Sequence, residues 1–211
     1  MLTQFLNING ESIQEAAAAI QKGGLVVYPT DTVYGLGCNP FDEKAVNRVS
    51  TVKGRSKGNF PVLVDTLSRA RELGEIRGGV ETLALRYWPG PLTIVVPSQA
   101  KLAPQVTGLE KMVGLRIPSR GDTLDLISKA GGSLLGTSAN ISGNLSLRKA
   151  EDAFKAFEGK VDIVLNGGIS STGLESTVVR QTKFGIQVLR EGAIRSKDIR
   201  QVLPSNVELQ E

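Results

Sequence analysis

No histidine occurs anywhere in the 211 residues, and cysteine occurs once, at Cys38. The first absence excludes a Ser-His-Asp or Cys-His nucleophile, an HExxH zinc site and an imidazole base near neutral pH. The second excludes an internal disulfide and a zinc site built from thiols. Catalysis, if there is any, must run on carboxylates, cations, hydroxyls, backbone donors or a borrowed metal. Also missing is any apolar run near the roughly 18 residues that would span a bilayer. The N-terminal MLTQFLNINGES lacks the basic and apolar segments of a secretory signal. No repeat, low-complexity tract or linker-like stretch interrupts the chain. These absences lead to the expectation of a soluble, cytoplasmic protein with no membrane partner. They also suit a single domain over residues 1–211, since domains commonly hold roughly 100 to 200 residues.

What is present is ordinary globular composition, with 40% apolar and 22% charged residues, so a large core is expected. The net charge of +4 is a mild bias toward anionic partners, and many proteins that bind none share it. Ser12-Ile13-Gln14-Glu15 has capping-box spacing ahead of AAAAI, and Gly23 follows, which predicts a helix over 13–22. Asp42 predicts the cap of a second helix that buries Ala45, Val46, Val49 and Val52 and ends at Gly54, with Lys53 in its last turn. LVVY, PVLV, LTIVV, VGLRI, SLLGTS, VDIVL, STVV and IQVL read as strands; 66–73, 80–87, 122–130, 148–158 and 197–202 carry helical spacing. The short QTKF link between 176–180 and 185–190 suits an antiparallel hairpin. The fold class expected is therefore α/β, a twisted mixed parallel and antiparallel sheet flanked by helices.

Three polar clusters follow apolar runs and belong at strand ends, where ligands commonly bind in such sheets. In VYPTDTVYGLG, Thr30, Asp31 and Thr32 crowd together; a stiff turn and a small-ligand site explain them about equally well. In KGRSKGNFP, three cations and two glycines form either a solvated loop or a phosphate-binding one. It is not a Walker A loop, because neither GxxxxGKS nor GxxxxGKT occurs. GTSANISG supplies hydroxyls and a carboxamide. Arg116 and Arg190 each interrupt an apolar strand, and an inward arginine requires a carboxylate, phosphate or water, since burying it unpaired costs several kcal/mol.

Together YPTDTVYGLG, KGR followed by asparagine, LRIP, TSANISG, GLESTVV and LREG resemble the YrdC-like family of threonylcarbamoyl-AMP synthases, in order and over nearly the whole chain. The resemblance implies a YrdC-like fold with a deep, basic cleft. It also implies that L-threonine, bicarbonate or CO2, and ATP give threonylcarbamoyl-AMP and pyrophosphate, for threonylcarbamoyladenosine modification of tRNA. Carried over by motif, Thr32, Arg116, Ser138 and Ser176 would surround threonine. Lys53, Arg55, Asn59, Asn140, Arg148 and Arg190 would surround ATP, with backbone near Met112 touching the nucleotide. Lys53 and Arg55 are the expected catalytic charges, and Mg2+ would come with ATP and not from a protein site. Ser56 and Phe60 stand where relatives often carry proline, and LREG stands where many have LRPG. The chain ends soon after Arg190, which leads to the expectation of a short form that hands its product to downstream tRNA-modification proteins. Two other readings remain open here: a non-catalytic module that binds tRNA or double-stranded RNA, and a carbamoyl-AMP-forming relative.

Overall fold

The computed structural model describes residues 2–54, 60–141, 143, 145–170 and 172–210. Among the described residues twelve strands fall into two mixed sheets where one was expected. The smaller sheet runs β1 (Gln4–Asn7), β9 (Ile163–Asn166), β2 (Val26–Tyr28), β3 (Gly35–Gly37), β8 (Thr137–Ser138), parallel across the first three and antiparallel across the last two joins. The larger runs β12 (Glu208–Gln210), β11 (Gly185–Arg190), β10 (Thr177–Gln181), β5 (Leu92–Pro97), β6 (Met112–Arg116), β4 (Val62–Val64), β7 (Ser133–Leu135), with parallel and antiparallel joins alternating. The helices are α1 (Gly10–Gln21), α2 (Glu43–Lys53), α3 (Leu67–Leu73), α4 (Gly79–Tyr87), α5 (Pro104–Thr107), α6 (Gly121–Lys129), α7 (Ala150–Phe157) and α8 (Ser196–Val202).

The stretch SLLGTS explains why there are two sheets. Read as one strand, it is two: Ser133–Leu135 pairs with β4, and Thr137–Ser138 pairs with β3 in the other sheet. Gly136 is the joint, because a Cβ there would sit 2.5 Å from Leu63 Cγ. The chain can change sheets only where its backbone presses directly onto the neighbouring strand, and glycine alone permits that. The two sheets are thereby brought edge to edge.

Elsewhere the local rules hold with small shifts. The first helix begins earlier than expected: Asn9 is its N-cap and Ser12 its third residue, each bonding the other's backbone N–H at 2.9 Å. Ser12 is thus the far half of a capping box and not the cap. Asp42 caps α2 through Lys44 and Ala45 N–H, and Gly54 ends it at φ 62°, as the sequence predicts. The β10–β11 hairpin is antiparallel, with a bulge at Val178/Val179. One core draws Val27 and Leu36 from the smaller sheet together with Val62, Ile94 and Leu115 from the larger; a second cluster lies between α1 and α6. Among the described residues no helix is long and apolar enough to cross a membrane.

Candidate active site

A cleft of about 660 Å³ opens between the face of the larger sheet and the segments 28–35 and 136–143. Its floor follows from the two-residue period of strands. Ser176, Val178 and Arg180 enter it at or just before β10, Thr93 and Val95 from β5, and Arg116, Gly114 and Met112 from β6. The intervening residues face the core.

The wall opposite is the YPTDTVYG turn, which Thr30 staples. Its Oγ1 accepts from the N–H of Thr32 (3.1 Å) and Val33 (3.3 Å) and donates to Val33 O at 2.6 Å. Since the Thr30 proton is spent on Val33 O, the 2.9 Å contact between the two hydroxyls has Thr32 as donor. Thr32 Oγ1 then accepts from Arg116 Nη1 at 3.1 Å and keeps one lone pair. Arg116, only 5% exposed, also donates Nη2–H to Asp31 Oδ1 at 2.6 Å and Nε–H to Gly90 O at 2.9 Å. Five guanidinium donors less these three leave two N–H groups. Asp31 is therefore the carboxylate that lets an arginine sit inside an apolar strand, and it orients Arg116. Beside this group Thr93 and Ser176 share a 2.9 Å hydroxyl contact, both buried.

Lys53, 3% exposed, reaches from the end of α2 to Ser138 O (2.6 Å), Asn140 O (2.9 Å) and Asn140 Oδ1 (3.0 Å). It fastens the TSAN segment to the helix. Ser138 Oγ donates to Asn140 Oδ1 at 2.8 Å, so Ser138, Asn140 and Lys53 form one unit at the cleft wall. Arg190 lines the cleft, pairs with Glu175, and donates to Ser176 O at 2.9 Å. Glu175 is itself held by Ser146 Oγ at 2.6 Å.

Of the expected residues, then, Thr32, Lys53, Arg116, Ser138, Asn140, Ser176 and Arg190 face a common hollow, and Met112 joins them. Arg148 does not: it lies on the surface, where its guanidinium reaches Ser170 O at 3.3 Å. Arg55 and Asn59 lie outside the described residues. The polar cleft residues Thr93, Glu110, Glu175 and Arg180 were not among those expected from the sequence. Strand alternation from Arg116 and Ser176 was the available signal, because every second residue of β6 and β10 must share their face. The cleft arginines are all matched to carboxylates, Arg116 to Asp31, Arg180 to Glu110 and Arg190 to Glu175. Lys53 lines the same cleft beside these pairs.

Burial holds two further titratable groups, Tyr28 and Cys38, in their protonated forms. Burial raises the Tyr28 phenol far above its usual value, more than Arg116 lowers it, and its hydroxyl donates to Leu135 O at 3.0 Å. Burial and then the Asp42 charge push the Cys38 thiol up to about 12, so it stays protonated. Among the described residues no group of three carboxylate or thiol ligands gathers to hold a metal.

The family model Sua5_yciO_yrdC, described as telomere recombination, matches residues 18–192. A threonylcarbamoyl-AMP synthase of Pyrococcus abyssi is 37% identical over 213 residues, covering 96% of this chain and 61% of the relative. One of Bacillus subtilis is 34% identical, covering 96% of this chain and 59% of the relative. The crystal structure of P. abyssi Sua5 complexed with L-threonine superposes with a TM-score of 0.92 at 34% identity, covering 100% of this chain and 63% of that one. The chain thus spans about three fifths of the length of these relatives.

Proposed function

Because the chain belongs to the Sua5–YciO–YrdC family, we propose that it makes threonylcarbamoyl-AMP from L-threonine, bicarbonate or CO2, and ATP, releasing pyrophosphate. The observation that carries this is the buried constellation of Thr32, Arg116, Thr93 and Ser176, sharing one cleft with Lys53 and Arg190. The two N–H groups left on Arg116 suit a substrate carboxylate, and the lone pair left on Thr32 suits a hydroxyl or ammonium proton. A site whose buried groups are completed by a substrate hydroxyl rejects analogues that lack it, because those groups would stay unpaired.

The chemistry needs no imidazole. The threonine amine adds to CO2 with loss of a proton, or to bicarbonate with loss of water, to give a carbamate, whose oxygen attacks the α-phosphorus of ATP as the bond to the β-phosphate oxygen breaks and pyrophosphate leaves. Such transfer depends on alignment and on neutralising charge. Arg116 and Thr32 align the amino acid. Arg190 and Lys53 supply positive charge beside the phosphates, Lys53 from a position fixed by its three acceptors, and Arg55 is assigned to the same task. Mg2+ enters bound to the ATP phosphates, where it offsets their charge; the cleft carboxylates Glu110 and Glu175 are already engaged by arginine. The product then passes to proteins that modify tRNA. Binding of RNA without chemistry is less favoured, since a duplex backbone reaches neither Thr32, 2% exposed, nor Ser176, 7% exposed.

The test is pyrophosphate release by the pure protein with ATP, Mg2+, bicarbonate and each amino acid in turn. Threonine alone should support rapid release. Thr32→Val should raise the KM for threonine at least about tenfold, the loss of one hydrogen-bonded hydroxyl, while leaving ATP binding near its original value. Release that ignores the amino acid supplied would defeat the assignment.

A further inference from the structure

The cleft floor changes character along its length. At one end Thr93, Ser176 and Arg116 are polar. The register then sets Arg180 beside Val95 and Val95 beside Gly114, so the next row is apolar until it reaches Arg180 at the outer strand. Ser176 and Arg180 are four residues apart on one strand face, roughly 13 Å. Glycine inside a central strand forgoes packing and marks a place where a ligand approaches the backbone closely. Gly114 lines the cleft floor, where a Cβ would meet Thr93 Cγ2 at 3.3 Å and Pro61 Cβ at 3.5 Å. Val95, Gly114 and Val178 together make an apolar shelf on the cleft floor.

At the far end of that shelf Arg180 pairs with Glu110. Glu110 stands in the turn ahead of β6, between Gly108 at φ 62° and Lys111 at φ 51°. A lysine in the left-handed region costs energy, and such residues gather at ligand clamps. The turn holds the carboxylate over the cleft, and both members of the pair line it.

We propose that Glu110, positioned by Arg180, is the residue pair that selects adenine as the base of the nucleotide. The purine lies on the Val95–Gly114–Val178 shelf, and the Glu110 carboxylate accepts a proton from its exocyclic amine. Guanine carries a carbonyl oxygen at that position and would set lone pairs against the carboxylate. Arg180 pairs with Glu110 and holds it at the cleft. This rests on the nucleotide-dependent reading above, yet it is measured without turnover.

The experiment is equilibrium binding of ATP and of GTP to the full chain and to the variants E110Q, R180A and R180K, with pyrophosphate kinetics alongside. The original protein should prefer ATP by about tenfold or more, the worth of one well-placed polar contact to a base. E110Q, whose amide can turn to donate to the guanine carbonyl, should lose most of that preference, with the KM for threonine unchanged. R180A should weaken ATP binding and blur the preference, and R180K should restore part of both, which a merely structural role would not do. Equal affinity for ATP and GTP in the original protein overturns the inference, as does an unaltered ratio in E110Q. A protein that selects ATP but releases no pyrophosphate with threonine leaves the inference standing and defeats the synthase reading instead.

Discussion

Arg116 and Arg190 are alike in sequence, each breaking an apolar strand, and each meets a carboxylate; their surroundings differ. In the Arg116–Asp31 pair the side chains are 6% and 12% exposed, whereas in Arg190–Glu175 they are 46% and 32% exposed. Removing one member of a buried pair leaves a charge without solvent or partner, while an exposed pair contributes little because water screens and replaces it. The inner pair is thus tied to the fold, in keeping with the proposed recognition of a small amino acid. The outer pair is free to exchange its carboxylate for phosphate at little cost to the fold.

The sharpest way to break this contrast is Asp31→Ala. It should destabilise the protein by about 3 kcal/mol or more in chemical denaturation, because Arg116 is stranded. Adding Arg116→Met in the same chain should recover much of the loss without restoring activity. A single variant as stable as the original would mean that Arg116 is solvated after all. Arg190→Ala sharpens the other half: unfolding should change by less than about 1 kcal/mol, while pyrophosphate release falls about a hundredfold, as for a lost charge-stabilising donor. Equal losses in both measurements would erase the distinction between inner and outer pairs.

The smallest effect concerns Glu191, beside Arg190 but fully outside the cleft. Its carboxyl is held down to about 2, first by the Ser196 N–H, then by the Arg195 and Ser196 side chains, so it serves as the cap that α8 otherwise lacks. A carboxyl lowered in the folded state stabilises it above the ordinary value of 4.5, and that contribution is lost as pH falls toward 2. Melting temperatures of the original and Glu191→Gln should therefore differ at pH 6 and converge near pH 2. Curves that stay parallel over that range would show that Glu191 does not cap the helix.

Much of this was legible in the chain. Local rules located α2 from Asp42 to Gly54 and the β10–β11 hairpin, because caps, turns and alternation depend on near neighbours. Motif order brought Thr32, Arg116, Ser176 and Arg190 under one heading, and the structure sets them in one cleft. Arg148 follows a polar motif yet lies outside the cleft lining, because position in a motif does not say which way a loop turns. Glu110 and Arg180 drew no notice because an acid in a turn and a base on a strand are unremarkable until the fold sets them face to face.

Composition alone decided that this protein works without imidazole, since no folding can supply a residue the chain does not contain. Only the tertiary structure decided that Lys53 is spent on three acceptors, that SLLGTS divides between two sheets, and that Asp31 belongs to Arg116. Each of these depends on contacts between segments tens of residues apart, and the energy of a charge or a glycine is set by what packs against it.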